Sequence, residues 1–240
     1  MNSDRIAEQI RKYGELYRDE HFEKYNKVLL KKDPLNALDF FFGRVFYGGI
    51  SDDICTRERN ISFSYIKKLG FVNTINKIQN QNFMSQIRFV SILKKKGVSN
   101  QRRGKMVYCI LEWLSNIPEN NCIIYSINII KKGKISLLFH YLVDEIYFIG
   151  PKKAALYLRD LIDLFDLQNY LKYDEFIYVL PIDTYINRFL IDMKLKNVID
   201  IKWEEDAKII LNWCKRAGIS PISFDQGVWY AYANNLVLVD

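Results

Sequence analysis

The sequence predicts an all-α protein. Apolar residues recur at i, i+3, i+4 and i+7 along most of the chain. Its 11 glycines and 5 prolines are few for 240 residues and do not cluster into a linker or a low-complexity tail. Only one stretch, residues 121–130, is rich enough in β-branched residues to suggest a strand. A chain of this length buries enough apolar surface for one large domain, or for two smaller ones sharing a core, without covalent staples.

The four cysteines, Cys55, Cys109, Cys122 and Cys214, lie far apart with no CxxC pair and no histidine spaced nearby. That spacing argues against a zinc site or an iron-sulfur cluster and favours core thiols, so no metal and no cofactor is expected. A formal charge of +7, with an isoelectric point near 9.0, suits a polyanionic partner. The N-terminal residues are charged at helical spacing and lack a cleavable apolar core. The longest apolar run, 37–50, is broken by Asp39 and Arg44. The expectation is a soluble monomer, cytoplasmic and nucleoid-associated or, in a eukaryote, nuclear, neither secreted nor in a membrane.

Residues 4–31 read as one or two amphipathic helices, with Ile6, Ile10, Tyr13 and Tyr17 on one face. Pro34 opens the next helix, 35–47, where its missing N–H costs nothing; that helix is apolar almost all round and belongs in a bundle centre. Gly48 and Gly49 end it, and Ser51 with Asp52 and Asp53 offers a cap for a further turn. Short helices follow at 62–69, 73–79 and 83–95. Residues 94–105, KKKGVSNQRRGK, then read as a glycine-broken loop in which Arg102, Arg103 and Lys105 contact phosphates or simply face solvent. A helix at 105–115 stops before Pro118, and 121–130 is strand or buried helix. Helices are expected at 135–147, 151–166, 184–195, 203–216 and 224–232.

The stretch Asp144–Phe165, DEIYFIGPKKAALYLRDLIDLF, carries the chemistry. An apolar helix ends at Phe148-Ile149-Gly150 and a second opens with Pro151, giving a helix-hairpin-helix over about 135–166. The second helix presents unpaired N–H groups and the positive end of its dipole, a seat for a phosphate. This stretch resembles the hairpin of the helix-hairpin-helix DNA glycosylase superfamily, a Leu-Pro-Gly-hydrophobic-Gly run followed one residue later by lysine in lyase-active members. Ile149-Gly150-Pro151-Lys152 matches its second half, whereas Phe148 stands in place of the first glycine. LPIDTYINRF, 180–189, resembles the family's Pro-hydrophobic-Asp segment, with Asp183 opening a helix that faces the hairpin lysine. FDQGVWYAY, 224–232, is similar to the Asp-x-x-x-Trp of the archaeal 8-oxoguanine glycosylase branch, placing Asp225 and Trp229 one helical turn apart. The 31 residues between Lys152 and Asp183 suit that branch. Gly48 and Gly49 stand where many relatives carry a glutamine.

The resemblance implies one glycosylase unit over 1–240, a two-lobed helical bundle with a DNA-binding cleft between the lobes. It implies base excision followed by strand cleavage on duplex DNA that contains a damaged purine such as 8-oxoguanine. Lys152 attacks the sugar C1′ as a free amine, with Lys153 beside it as the alternative, and Asp183 stabilises the charge on the sugar. Asp225, Trp229, Leu156 and Tyr157 contact the extruded base. Ile149, Gly150, Lys153, Arg102, Arg103 and Lys105 contact the DNA backbone. Two other readings remain: a helix-hairpin-helix module that binds DNA without catalysis, in which Asp183 merely caps a helix, and a glycosylase for another lesion. His21 and His140 lie in helical stretches without a nucleophile motif. A metal-dependent nuclease would need Asp144, Glu145, Asp160 and Asp163 to cluster.

Overall fold

The computed structural model describes residues 3–47, 51–80 and 84–238, and every regular element among them is helical. The chain divides into two compact units, one made of Lys27–Tyr157 and the other of Met1–Asn26 with Leu158–Asp240. Among the described residues no helix is long and apolar enough to cross a membrane.

The unit of residues 27–157 holds α2 (Lys27–Lys32), α3 (Pro34–Val45), α4 (Asp52–Leu69), α5 (Phe71–Gln79), α6 (Gln86–Lys95), α7 (Gln101–Ser115), α8 (Cys122–Lys131), α9 (Ile135–Glu145) and the first half of α10 (Pro151–Leu164). Asp33 starts α3 by accepting the Leu35 N–H at 2.9 Å, with Pro34 at the first helical position. Phe40, Phe41 and Phe42 are all fully buried, as the all-round apolar pattern requires. The glycines expected to end this helix, Gly48 and Gly49, lie outside the described residues, as does the expected helix start at 83.

Two readings of this unit change, and one left open is resolved. The cap at Ser51–Asp53 and the helix at 62–69 belong to one 18-residue helix, α4. Its buried stripe runs Cys55, Glu58, Ser62, Ile66, and two polar residues in that stripe conceal the helical period. The basic stretch is a loop only over residues 96–100: Lys94 and Lys95 end α6, and the Asn100 side chain caps α7 by accepting the Arg102 N–H at 2.9 Å. Gly104 is therefore helical; a Cβ there would come within 3.2 Å of Val90 Cγ1, so the glycine lets α6 and α7 pack closely. The stretch 121–130 is a helix, because Asn121 Oδ1 accepts the N–H groups of Ile123 and Ile124 at 2.9 and 3.1 Å. The Asn121 amide also donates to the Leu30 and Lys31 carbonyls at the end of α2.

The other unit holds α1 (Ser3–Phe22), the second half of α10, α11 (Thr184–Asp192), α12 (Trp203–Ala217) and α13 (Pro221–Ala233). Phe189, Trp213 and Phe224, one from each of α11 to α13, form its aromatic centre with ring centroids 5.2–5.7 Å apart. A short 3-10 segment, Tyr173–Val179, leads to the Pro181-Ile182-Asp183 approach. Trp203 Nε1 donates to Leu180 O at 3.1 Å and ties that approach to α12. Gly14 and Gly227 let α1 and α13 approach until a Cβ on either meets the other helix's backbone.

Candidate functional site

The turn between α9 and α10 occupies the position read from the sequence. Ile146 O accepts the Ile149 N–H at 3.1 Å, closing a four-residue turn whose third residue, Phe148, has φ +69°. Turns of this kind ordinarily place glycine there, and a side chain in the left-handed region costs about 1–2 kcal/mol. Tyr147 and Phe148 stack with centroids 6.3 Å apart. Lys105 of α7 lies over Tyr147 at 5.7 Å, and Lys153 lies over Phe148 at 4.1 Å. Lys153 Nζ also donates to Phe148 O at 3.2 Å.

Lys152 is exposed and Lys153 half-buried. The lowered amine of this turn is that of Lys153: burial brings it down to about 8, the Arg103 guanidinium and the Lys152 ammonium add to the shift, and Cys55 opposes it. Gly150 is exposed, and a Cβ there would meet nothing within 4 Å. The fold itself makes no demand for glycine at this position.

Two residues read as phosphate contacts are placed otherwise. Arg103 is fully buried, its guanidinium donating to Glu58 Oε2 at 3.3 Å and to Cys55 Sγ at 3.0 Å. Glu58 Oε1 accepts from Ser99 N, Ser99 Oγ and Asn100 N at 2.8, 2.7 and 3.1 Å, which fastens the basic loop from within. Arg103 holds that loop down instead of reaching outward, because a guanidinium on the inner face of α7 meets a buried carboxylate. Ile149 is buried and its N–H is spent on Ile146, so it anchors the turn. Arg102 is exposed and Lys105 half-buried.

Of the residues read as base contacts, Tyr157 is core. It is fully buried against the Phe40 and Phe41 rings, its hydroxyl donating to Cys122 O at 3.2 Å and lying 2.9 Å from Ser126 Oγ. Leu156 is half-buried.

In the other unit, Asp183 is buried and caps α11, its Oδ1 accepting the Tyr185 and Ile186 N–H groups at 2.9 and 3.0 Å. Asp225 is also buried, with Oδ2 held by Arg159 and Oδ1 without a hydrogen-bond partner. Burial pushes its carboxyl up to about 7; Arg159 opposes the shift, and the Asp183 and Asp160 carboxylates add to it. One turn along α13, Trp229 is half-buried, edge-to-face with Tyr17 at 5.7 Å, His21 at 5.7 Å and Tyr185 at 6.3 Å.

Arg159 is the residue that the sequence reading missed. It is buried and donates through Nε to Asp160 at 2.9 Å, and its other donors reach Asp225 and the Tyr17 hydroxyl. Burial works against its charge, but Asp160, Tyr17 and Asp225 together hold its pKa well above the ordinary arginine value. The signal was present: Arg159 lies four residues after Ala155 and three before Ile162, on the apolar stripe of α10. The two neighbouring acids are engaged as well, Asp160 by Arg159 and Tyr17, and Asp163 by Arg18 at 3.2 Å and Gln226 at 2.8 Å.

No family model, no curated protein and no solved structure matches the chain.

Proposed function

We propose that this protein is a DNA N-glycosylase with an associated β-elimination activity that binds damaged duplex DNA through the α9–α10 turn. One observation carries the reading. Two lysines stand in the first turn of a 14-residue helix that opens with proline, after an exposed glycine that the fold does not need. A glycine with open space around it is what a phosphate backbone lying against the helix N-terminus requires.

In this reading Lys152 is the nucleophile. After giving up a proton, its amine adds to C1′ of an extruded nucleotide, the base departs with a proton, and the sugar opens to a Schiff base. Loss of a proton from C2′ then expels the 3′ phosphate, and water releases the enzyme. Asp183 is the carboxylate assigned to the developing sugar charge. The orphan oxygen of Asp225 and the half-buried face of Trp229 are the base-contacting groups, with an oxidised purine such as 8-oxoguanine as the base and Leu156 beside them in role.

Borohydride trapping tests this on a duplex containing 8-oxoguanine and on one containing an abasic site. A covalent adduct is expected with the unaltered chain and none with Lys152→Gln. Loss of the adduct in Lys153→Gln alone would move the nucleophile by one residue. Duplex binding without any adduct would replace this reading with the second one, a DNA-binding module. Its support is that Asp183 Oδ1 is occupied as a helix cap and Asp225 Oδ2 by Arg159.

Gly150→Ala gives an independent check on the turn. Thermal stability is expected to hold, because the added methyl meets open space. Duplex affinity is expected to fall roughly tenfold, the value of one charge-assisted backbone contact. Unchanged affinity by fluorescence anisotropy would show that DNA does not approach this glycine.

A further inference from the structure

We infer that Lys153 is a positioning residue, which holds Phe148 in the left-handed conformation by gripping that residue's carbonyl and ring together. The argument begins with the turn. The hydrogen bond from the Ile149 N–H to Ile146 O, 3.1 Å, closes a turn in which the residue at 148 takes a positive φ, +69°. Glycine does so freely. Phenylalanine does not, because its Cβ crowds the following carbonyl.

Something must therefore offset the strain, and the contacts at Lys153 are suited to it. The side chain folds back from the first turn of α10 over five residues to donate from Nζ to Phe148 O at 3.2 Å. The same nitrogen lies 4.1 Å from the centre of the Phe148 ring and 3.9 Å from Met106 Sδ on α7. Carbonyl and ring both hang from the Phe148 Cα, so anchoring both to one amine packed on α7 sets how that Cα is turned relative to the peptide entering from Tyr147, which is the φ rotation. Half-burial shields the contact from competing water.

Lysine at 153 and phenylalanine at 148 thus form a compensated pair. The charged and titratable groups facing the amine are Arg103 on α7, Cys55 on α4 and Lys152 on its own helix. An N–H remains to donate whichever way that crowding leaves the amine protonated.

The consequence for function rests on the turn being the DNA seat proposed above; the consequence for the turn itself does not. Hydrogen exchange at the Ile149 amide, followed in the full-length chain, reads the closed turn directly. Lys153→Met is expected to speed that exchange about tenfold, the range set by the left-handed penalty. Lys153→Arg, which keeps a donor and a cation, is expected to retain protection. The double variant Phe148→Gly with Lys153→Met is expected to exchange no faster than Phe148→Gly alone, because glycine needs no holding.

Equal protection in Lys153→Met and the unaltered chain would overturn the inference. So would a double variant as labile as Lys153→Met. Loss of borohydride trapping in Lys153→Met with Ile149 protection intact would also overturn it, by making Lys153 the reacting amine. Duplex affinity of the same variants, by anisotropy, is expected to follow the exchange rates. If the unaltered chain binds no duplex, the DNA reading fails while the exchange result still decides the role of Lys153.

Discussion

Gly227→Ala is expected to destabilise the protein by about 3 kcal/mol or more, lowering the melting temperature by something on the order of 10 °C. A Cβ at 227 would lie 2.0 Å from Ile10 O and 2.9 Å from Ile10 C, both backbone atoms of α1. No rotamer change relieves a clash with backbone. The two helices must separate, and the same contact is tight from the other side, where a Cβ on Gly14 would stand 2.9 Å from Ser223 O. Separation also loosens the packing of Ile6, Ala7 and Ile10 in a core shared with Phe224, Val228 and Ala231. Because α13 carries Asp225 and Trp229, the base excision proposed above is expected to decline together with stability. Thermal unfolding followed by circular dichroism decides it, and a shift of less than about 2 °C would mean that the helices are not held at this distance in solution.

Glu58→Gln is expected to cost about 3–5 kcal/mol, the range for removing one member of a buried ion pair. The side chains of Glu58 and Arg103 are 0% and 1% exposed, so water cannot replace the lost charge. A glutamine still presents one carbonyl oxygen to Ser99 and Asn100, but its amide turns a donor toward the Arg103 guanidinium. The isosteric change therefore isolates the charge from the shape. The effect should extend beyond stability, because Glu58 fastens residues 99 and 100 and so sets where α7 begins. Faster proteolysis within residues 94–101 should accompany the loss of stability, measured by denaturant unfolding and limited digestion. A loss below about 1 kcal/mol would show that the pair is solvated.

These two expectations mark where sequence reasoning stopped. Pro34 and the apolar run behind it announced α3, and the hairpin turn between α9 and α10 was legible because punctuation and periodicity agree there. Residues 121–130 were not legible: five isoleucines in ten residues suit strand and buried helix alike, and only the Asn121 cap, tied to the end of α2, selects the helix. The basic stretch failed differently. Arg102 and Arg103 look equivalent in a string of cations, yet one is exposed and the other buried on Glu58, a partner 45 residues away. Beyond its place on the apolar stripe, Arg159 carries no local mark of its role. Its partners Tyr17 and Asp225 lie 142 and 66 residues away, on α1 and α13.

The amino-acid sequence alone determined the all-helical class, most helix positions, the turn around residues 148–150 and the candidate residues around it. Those follow from local causes: apolar period, caps, and the backbone preferences of glycine and proline. Tertiary structure alone decided which charges are buried, which lysine of the adjacent pair is held, and that a phenylalanine could take a glycine's conformation. Burial and ion pairing depend on residues far apart in the chain, and no local pattern encodes the distance between them.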